Sequence, residues 1–303
     1  MFLLVQEGVE PRYLEGIPAQ IVYLPKQGPL PAEAAQAEFA VAPYGSARRF
    51  FDELPKLEAL KVVQTLTAGV DWILPKLPPH LILCDAAGVH DVPVSEWVVG
   101  AILAAIKRFP EFRDAQREQR WAYRWVGDLE GSTVLFLGYG SIARATEKRL
   151  EPFGVQFIRV ARSARENVYG FSELPDWLPQ ADVVINLLPL TPQTEKLCGA
   201  GFFAQMKPGA LFVNAGRGKT VDQDALIEAI KAKRIRFVSD VTDPEPLPEG
   251  HPLWSLPEVF FTPHMAGSTH KLFERGFRLV RQQVERYLRG EPLLNVVVRE
   301  KGY

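Results

Sequence analysis

Cysteine is nearly absent: Cys84 and Cys198 are the only two in 303 residues, and neither stands in CxxC spacing. That excludes a disulfide scaffold and a cysteine-built zinc site, so no metal is expected, and it fits a reducing compartment. A charge excess is missing as well, because 35 Lys and Arg nearly cancel 36 Asp and Glu. So balanced a chain has no general attraction for nucleic acid or an anionic membrane, and any anion site must be built locally. The longest apolar run, Trp97 to Ile106, falls far short of the roughly 20 residues of a membrane span. The start, Met1-Phe2-Leu3-Leu4-Val5, has no basic leader and reads as a buried strand rather than a signal peptide. A cytoplasmic protein is expected. No repeat at solenoid period and no low-complexity segment appears, and the Pro-rich stretch Asp243 to Pro257 reads as a loop.

What is present is a rhythm. Short apolar β-type runs alternate with helical patterns along the whole chain, from Phe2–Val5, Ile21–Leu24, Phe39–Ala42, Val62–Thr67 and Leu81–Cys84 onward. A second series follows at Thr133–Leu137, Gln156–Val160, Asp182–Leu188, Ala210–Asn214, Arg236–Ser239 and Val259–Thr262. Runs this apolar suit strands buried on both faces, and their alternation with helices such as Ser141–Leu150 and Asp222–Lys233 predicts α/β architecture with parallel sheets. A chain of 303 residues exceeds one small core, so two doubly wound, Rossmann-like domains are expected. Val94 to Arg120 reads as a long connecting helix that Pro110 should kink or split. The last helix, Lys271 to Leu288, follows the second strand series and can return to the first domain. The expected division is residues 1–98 plus 270–303, a discontinuous domain, and 99–269, a continuous one.

The strongest local motif is Val134-Leu135-Phe136-Leu137-Gly138-Tyr139-Gly140-Ser141-Ile142-Ala143, a strand running through GxGxxA into a helix. The first glycine permits the tight turn, and the second lets backbone approach a pyrophosphate. The third small residue lets helix and strand pack closely, while the helix N-terminus offers N–H groups to phosphate. One absence here is informative. An acidic residue about 20 positions on normally takes the ribose 2′-hydroxyl. The next strand instead ends in Ala161-Arg162-Ser163-Ala164-Arg165. Arg162 and Arg165, with the Ser163 hydroxyl, suit the 2′-phosphate of NADP, because a guanidinium can donate two hydrogen bonds to one phosphate. NADP(H) is favoured, and NAD(H) stays possible.

Three polar residues lie in loops after strands of the second series: Arg217 in Asn214-Ala215-Gly216-Arg217-Gly218, Glu245 in Asp240-Val241-Thr242-Asp243-Pro244-Glu245-Pro246, and His264 in Thr262-Pro263-His264-Met265-Ala266-Gly267. In open α/β sheets ligands bind beyond the carboxyl ends of the strands, where these loops should gather. Taken singly, each has a bland explanation: an ion pair, a solvated acid, a core histidine.

Together with Ala68-Gly69-Val70-Asp71, Val94-Ser95-Glu96, Leu188-Pro189-Leu190-Thr191-Pro192, Leu253-Trp254 and Gly290 to Val297, they resemble the D-isomer-specific 2-hydroxyacid dehydrogenases in order and spacing. The resemblance implies two domains with the active site in the cleft between them. It implies Arg217 on the substrate carboxylate, His264 as acid–base, and Glu245 bonded to the imidazole, keeping it cationic near neutral pH. Backbone N–H groups of Ala68 and Gly69 would complete the carboxylate site. Cofactor contacts are implied at Gly138, Tyr139, Gly140, Ser141, Ile142, Leu188, Pro189, Ala215, Asp240 and Ala266, with Asp240 on the nicotinamide carboxamide. The family's usual acid after the second nucleotide-domain strand is replaced here, and Thr242 stands where Phe is frequent. Nothing after Val297 resembles the regulatory domain of longer phosphoglycerate dehydrogenases. The expected activity is reduction of a small 2-keto acid, of glyoxylate or hydroxypyruvate type. An NAD-dependent dehydrogenase of another D-2-hydroxy acid, or a dinucleotide-sensing corepressor-like protein, are the rival readings. A homodimer is implied, with Val94–Arg120 contributing, although Trp97, Ile102 and Ile106 could equally be core.

Overall fold

The computed structural model describes every residue from Met1 to Tyr303. It divides into two compact units, Met1–His90 with His270–Tyr303, and Asp91–Thr269. The first boundary lies at His90/Asp91 rather than at 98/99. The helix that opens there packs along its length on the second unit's own helices and strands, so no part of it belongs to the first.

The first unit carries β1 (Phe2–Gln6), β2 (Gln20–Leu24), β3 (Ala37–Val41), β4 (Val62–Gln64) and β5 (Ile82–Cys84), with short helices α1 (Pro11–Leu14) and α2 (Arg48–Glu53). Its sheet is parallel in the order β2-β1-β3-β4-β5. Successive side chains of β1 go to opposite faces, Leu4 into one core and Leu3 and Val5 into the other.

The second unit begins with α3 (Asp91–Ile106) and α4 (Phe109–Arg117), then β6 (Thr133–Leu137), α5 (Ser141–Leu150), β7 (Gln156–Ala161), β8 (Tyr169–Gly170) and α6 (Leu174–Trp177). It continues with β9 (Val183–Asn186), α7 (Ala200–Gln205), β10 (Ala210–Asn214), α8 (Gln223–Lys231), β11 (Ile235–Ser239) and β12 (Val259–Phe261). Its parallel sheet has the order β12-β11-β10-β9-β6-β7-β8. Leu135 and Leu137 face one side with Phe203 and Leu226, while Val134 and Phe136 face the other with Val98 and Ile102. Both faces are covered by helices, which is why the central strands are apolar except at their ends.

The helix α9 (Leu272–Leu288) then returns to the first unit. Its buried positions, Leu272, Gly276, Phe277, Leu279, Val280, Gln283 and Val284, recur at helical spacing. Phe277, Val280 and Val284 pack with Leu3, Val5 and Phe39. Gln283 is buried yet fully engaged: its amide donates to Gln64 Oε1 and Leu294 O, both at 2.8 Å, and its oxygen accepts from Leu294 N.

The stretch from Val94 to Arg120 is split into two helices, one of the two outcomes expected of Pro110. The break falls at Arg108, whose backbone is left-handed with φ 54°, and Pro110 sits in the first turn of α4. There its missing N–H breaks no helical bond, so proline starts the second helix instead of kinking the first. Ile102 and Ile106 are core residues, and Trp97 bonds through Nε1 to Thr262 Oγ1 at 3.0 Å. The large exposed side chains come just after α4, at Trp121, Tyr123 and Trp125. The two-residue edge strand β8 has no apolar run to announce it and was not expected. No helix is long and apolar enough to cross a membrane.

Candidate active site

The order of the second sheet reverses between β6 and β9, and the loops after these two strands meet at the resulting crevice. Gly138 follows β6 with φ +95°, and a Cβ there would lie 3.0 Å from the Leu187 carbonyl carbon and oxygen. Positive φ and close approach both require glycine. Gly140 differs: a Cβ would meet nothing of the protein within 4 Å, so its bareness leaves open space outside the turn. It stands at the N-terminus of α5, which has no side-chain cap, and Ala143 is buried against the sheet. Unspent N–H groups, helix dipole and clear backbone together fit the pyrophosphate of a dinucleotide. Ser141 bonds through Oγ to Asp91 Oδ1 at 2.8 Å, tying the turn to the start of α3.

Beyond β9 and β10 a buried polar network fixes two further loops. Asn186 Nδ2 donates to Asn214 Oδ1 at 3.1 Å and to Thr220 Oγ1 at 2.8 Å, and the Thr220 hydroxyl donates to Arg217 O at 2.7 Å. Asn214 Oδ1 also accepts from Gly216 N, and Asn186 Oδ1 from Leu188 N. Asn186, Asn214 and Thr220 are all buried, so each of these bonds also avoids an unsatisfied group costing about 1–3 kcal/mol. The network holds the backbone on either side of Arg217. Two glycines then let the loops touch. A Cβ on Gly216 would stand 2.7 Å from Leu188 O, and one on Gly218 would collide with the Thr242 carbonyl.

The loop after β11 is tied to the loop after β12 through Asp240. Its buried carboxylate accepts from the Thr262 hydroxyl at 2.5 Å, from Met265 N at 2.9 Å and from Ala266 N at 2.8 Å. The Asp240 carbonyl accepts from His264 N at 2.7 Å. His264 lies between these anchors with φ 51°, a left-handed conformation that needs such support in a residue other than glycine. Its Nδ1 meets Glu245 Oε1 at 2.7 Å, with the side chains 49% and 39% exposed respectively. The contact fixes which ring nitrogen faces the acid and leaves Nε2 for a ligand.

At the far side of the crevice, Ala161 closes β7 buried, and Arg162, Ser163 and Arg165 are exposed. Arg165 pairs backbone to backbone with Val168, 2.9 Å in both directions, and its Nη2 donates to Tyr139 O at 2.8 Å. Glu166 lies in the exposed turn between them.

Residues 99–266 match the family model described as D-isomer specific 2-hydroxyacid dehydrogenase, NAD binding domain. A human glyoxylate reductase/hydroxypyruvate reductase is 34% identical over 248 residues, 77% of this chain and 76% of that one. The chain belongs to the D-isomer-specific 2-hydroxyacid dehydrogenase family. Two solved structures agree across nearly the whole length. A D-isomer specific 2-hydroxyacid dehydrogenase from Xanthobacter autotrophicus Py2, in complex with NADPH and MES, has TM-score 0.85 and 28% identity, covering 99% of each chain. An NADPH-dependent glyoxylate/hydroxypyruvate reductase from Sinorhizobium meliloti, in complex with NADP and sulfate, has TM-score 0.84 and 26% identity, covering 100% of this chain and 99% of that one. The protein is thus an NAD(P)-dependent 2-hydroxyacid dehydrogenase.

Within this dehydrogenase, the loops bearing Gly138–Ile142, Leu188–Pro189, Ala215–Arg217, Asp240–Glu245 and His264–Ala266 all leave the carboxyl ends of one parallel sheet. Ala68 and Gly69 belong to the other unit, in the loop after β4. There the Gly69 carbonyl accepts from Thr67 Oγ1 at 2.9 Å and Trp72 Nε1 at 3.2 Å. Sequence reasoning missed Asn186 and Thr220 as supports for the arginine loop. The available signal was an asparagine ending an otherwise apolar strand, Val183-Val184-Ile185-Asn186. It also missed Glu147 and Arg159, which sit beneath Tyr139 with no motif to mark them.

Proposed function

We propose that this dehydrogenase works as a reductase of small 2-keto acids, glyoxylate and hydroxypyruvate foremost, with NADPH preferred over NADH. The observation that carries the reaction is the Glu245–His264 contact at 2.7 Å, held on the same sheet edge as the Arg217 loop and the glycine turn. When bound, the dinucleotide supplies a hydride to the keto carbon. Arg217 grips the substrate carboxylate with its planar fork and stabilises the negative charge that develops on the keto oxygen. Protonated His264 delivers its Nε2 proton to the keto oxygen while Nδ1–H stays on Glu245, whose negative charge offsets the imidazolium. In oxidation the same nitrogen removes the hydroxyl proton. Asp240 Oδ2, with one N–H on it, keeps a lone pair for the nicotinamide carboxamide. Leu188, Pro189, Ala215 and Ala266 would border that end of the cofactor.

NADPH preference is supported by the end of β7, where Arg162, Ser163 and Arg165 stand in place of an acid, and by relatives whose structures hold NADPH or NADP. The assembly proposed is a homodimer. The Val94–Arg120 segment is proposed to contribute to its interface, and just beyond it Trp121 is 96% and Trp125 88% exposed. Initial rates over a panel of 2-keto acids with NADPH test the reading: glyoxylate and hydroxypyruvate should give the highest kcat/KM. Cofactor binding without reduction of any 2-keto acid would overturn it in favour of a sensing role.

A further inference from the structure

Tyr139 occupies the variable position between the two glycines of the nucleotide turn, and it is tied down at three points. Its hydroxyl donates to Glu147 Oε2 at 2.9 Å. Glu147, on α5, is gripped by both arms of Arg159 from β7, Nε to Oε2 and Nη2 to Oε1, each at 2.7 Å. The pair is largely buried, with the side chains 25% and 12% exposed for Arg159 and Glu147. Two guanidiniums also stand near the phenol ring, Arg159 at 5.7 Å from its centroid and Arg165 at 6.0 Å. The Tyr139 carbonyl completes the arrangement by accepting from Arg165 Nη2.

The two arginines are thereby sorted. Arg159 is neutralised by a bidentate carboxylate and has no charge to offer a ligand. Arg165 has a carbonyl and a π-face for partners, neither of which cancels its charge. Its backbone is fixed by the two-way bond with Val168, and its guanidinium is parked against the turn where the dinucleotide enters. An exposed arginine ordinarily loses much side-chain entropy when it closes on a phosphate, and holding it beforehand removes part of that cost.

We propose that Tyr139 is a positioning residue for cofactor choice: fastened by Glu147 and Arg159, it holds the Arg165 guanidinium ready for a 2′-phosphate. This rests on the reading that the basic end of β7 selects NADPH, and it adds that Arg165 is the principal contact, with Arg162 secondary. Neither role touches the hydride-transfer chemistry, so the effect is confined to the dinucleotide that carries the extra phosphate.

The test is titration of the full-length protein with NADPH and with NADH, followed by cofactor fluorescence. Tyr139→Leu should weaken NADPH binding by roughly 3- to 10-fold more than it weakens NADH binding, the scale of one ordered side chain. Tyr139→Phe keeps the ring and loses the hydroxyl tether, so it should fall between wild type and Tyr139→Leu. In an Arg165→Ala background, Tyr139→Leu should add nothing further to the loss of NADPH affinity. Equal weakening of both cofactors, or an undiminished Tyr139→Leu effect without Arg165, would overturn the proposal and assign Tyr139 to general support of the turn. Wild-type protein with no preference for NADPH would instead overturn the cofactor reading beneath it. If Tyr139→Leu does not fold, Tyr139→Phe alone decides, by whether its loss is selective for NADPH.

Discussion

Gly216→Ala isolates how tightly the arginine loop must be held. The substitution adds one methyl group in front of the Leu187–Leu188 backbone. The new carbon would lie 2.7 Å from Leu188 O, 3.0 Å from Leu188 N and 3.2 Å from the Leu187 carbonyl carbon, where ordinary contact begins at 3.4 Å. Clearing the nearest atom requires a shift of 0.7 Å, the difference between 3.4 and 2.7 Å. The Leu187–Leu188 side cannot yield easily, because Leu187 N donates to Leu137 O at 2.8 Å and Leu188 N to Asn186 Oδ1 at 3.2 Å. The movement therefore falls on the loop carrying Arg217. Misplacement of about 1 Å costs on the order of 10²-fold in rate, so kcat/KM for a 2-keto acid should drop roughly 10- to 100-fold. The overpacking should cost about 1–3 kcal/mol, read as a fall in Tm of roughly 2–4 °C per kcal/mol. Gly140→Ala is the contrast: with no protein atom within 4 Å of its Cβ, Tm should hold or rise slightly while cofactor affinity falls. Steady-state kinetics with differential scanning fluorimetry on both variants gives the answer. Wild-type kcat/KM in Gly216→Ala would refute the idea that close loop contact sets the arginine's position.

Three further outcomes are expected. His264→Ala should lower turnover by about 10²–10⁴-fold while leaving NADPH binding nearly intact, and near-normal turnover in stopped-flow reduction would remove it from the acid–base role. Arg217→Lys should be severely damaging to kcat/KM, since an ammonium cannot copy a two-point grip on a carboxylate; equal efficiency in wild type and variant would make Arg217 peripheral. Burial pushes the Asp85 carboxyl from its ordinary 3.8 up to about 6, which penalises the charged form in the folded protein. The penalty is absent below the unfolded value, grows as pH rises between the two, and is complete above pH 6, reaching at most about 3 kcal/mol. Asp85→Asn keeps the acceptor for Ala87 N and should raise stability to urea at pH 8 but not at pH 4; the same difference at both pH values would contradict this.

Much of this architecture was legible in the sequence, for physical reasons. Parallel strands covered on both faces are apolar throughout, so runs such as Val134–Leu137 and Leu211–Val213 mark themselves. The glycine turn is legible because Gly138 needs a conformation and a closeness that other residues resist. The edge strand β8 is two residues long and carries no such signal. The helix break at Arg108 was misplaced because Pro110 is the conspicuous residue, yet proline tolerates a helix start and the left-handed turn lies two positions earlier. The apolar positions of α3 fit an interface and a core equally well by periodicity; only packing against α5 and β10 separates the two. Hardest to read were the side chains that position others. Asn186 to Thr220 spans 34 residues and Glu147 to Arg159 spans 12, and no spacing rule links such pairs before the sheet order is known.

We propose that this dehydrogenase discriminates between NADPH and NADH through the basic end of β7. Dissociation constants of the wild-type protein for NADPH and NADH at physiological ionic strength test it most directly. NADPH should bind roughly 10- to 150-fold more tightly, corresponding to about 1.5–3 kcal/mol for a charge-assisted contact. That advantage should shrink with added salt, because Arg162 and Arg165 are exposed and their charges are screened. NADH binding as tightly as NADPH, or more tightly, would contradict it.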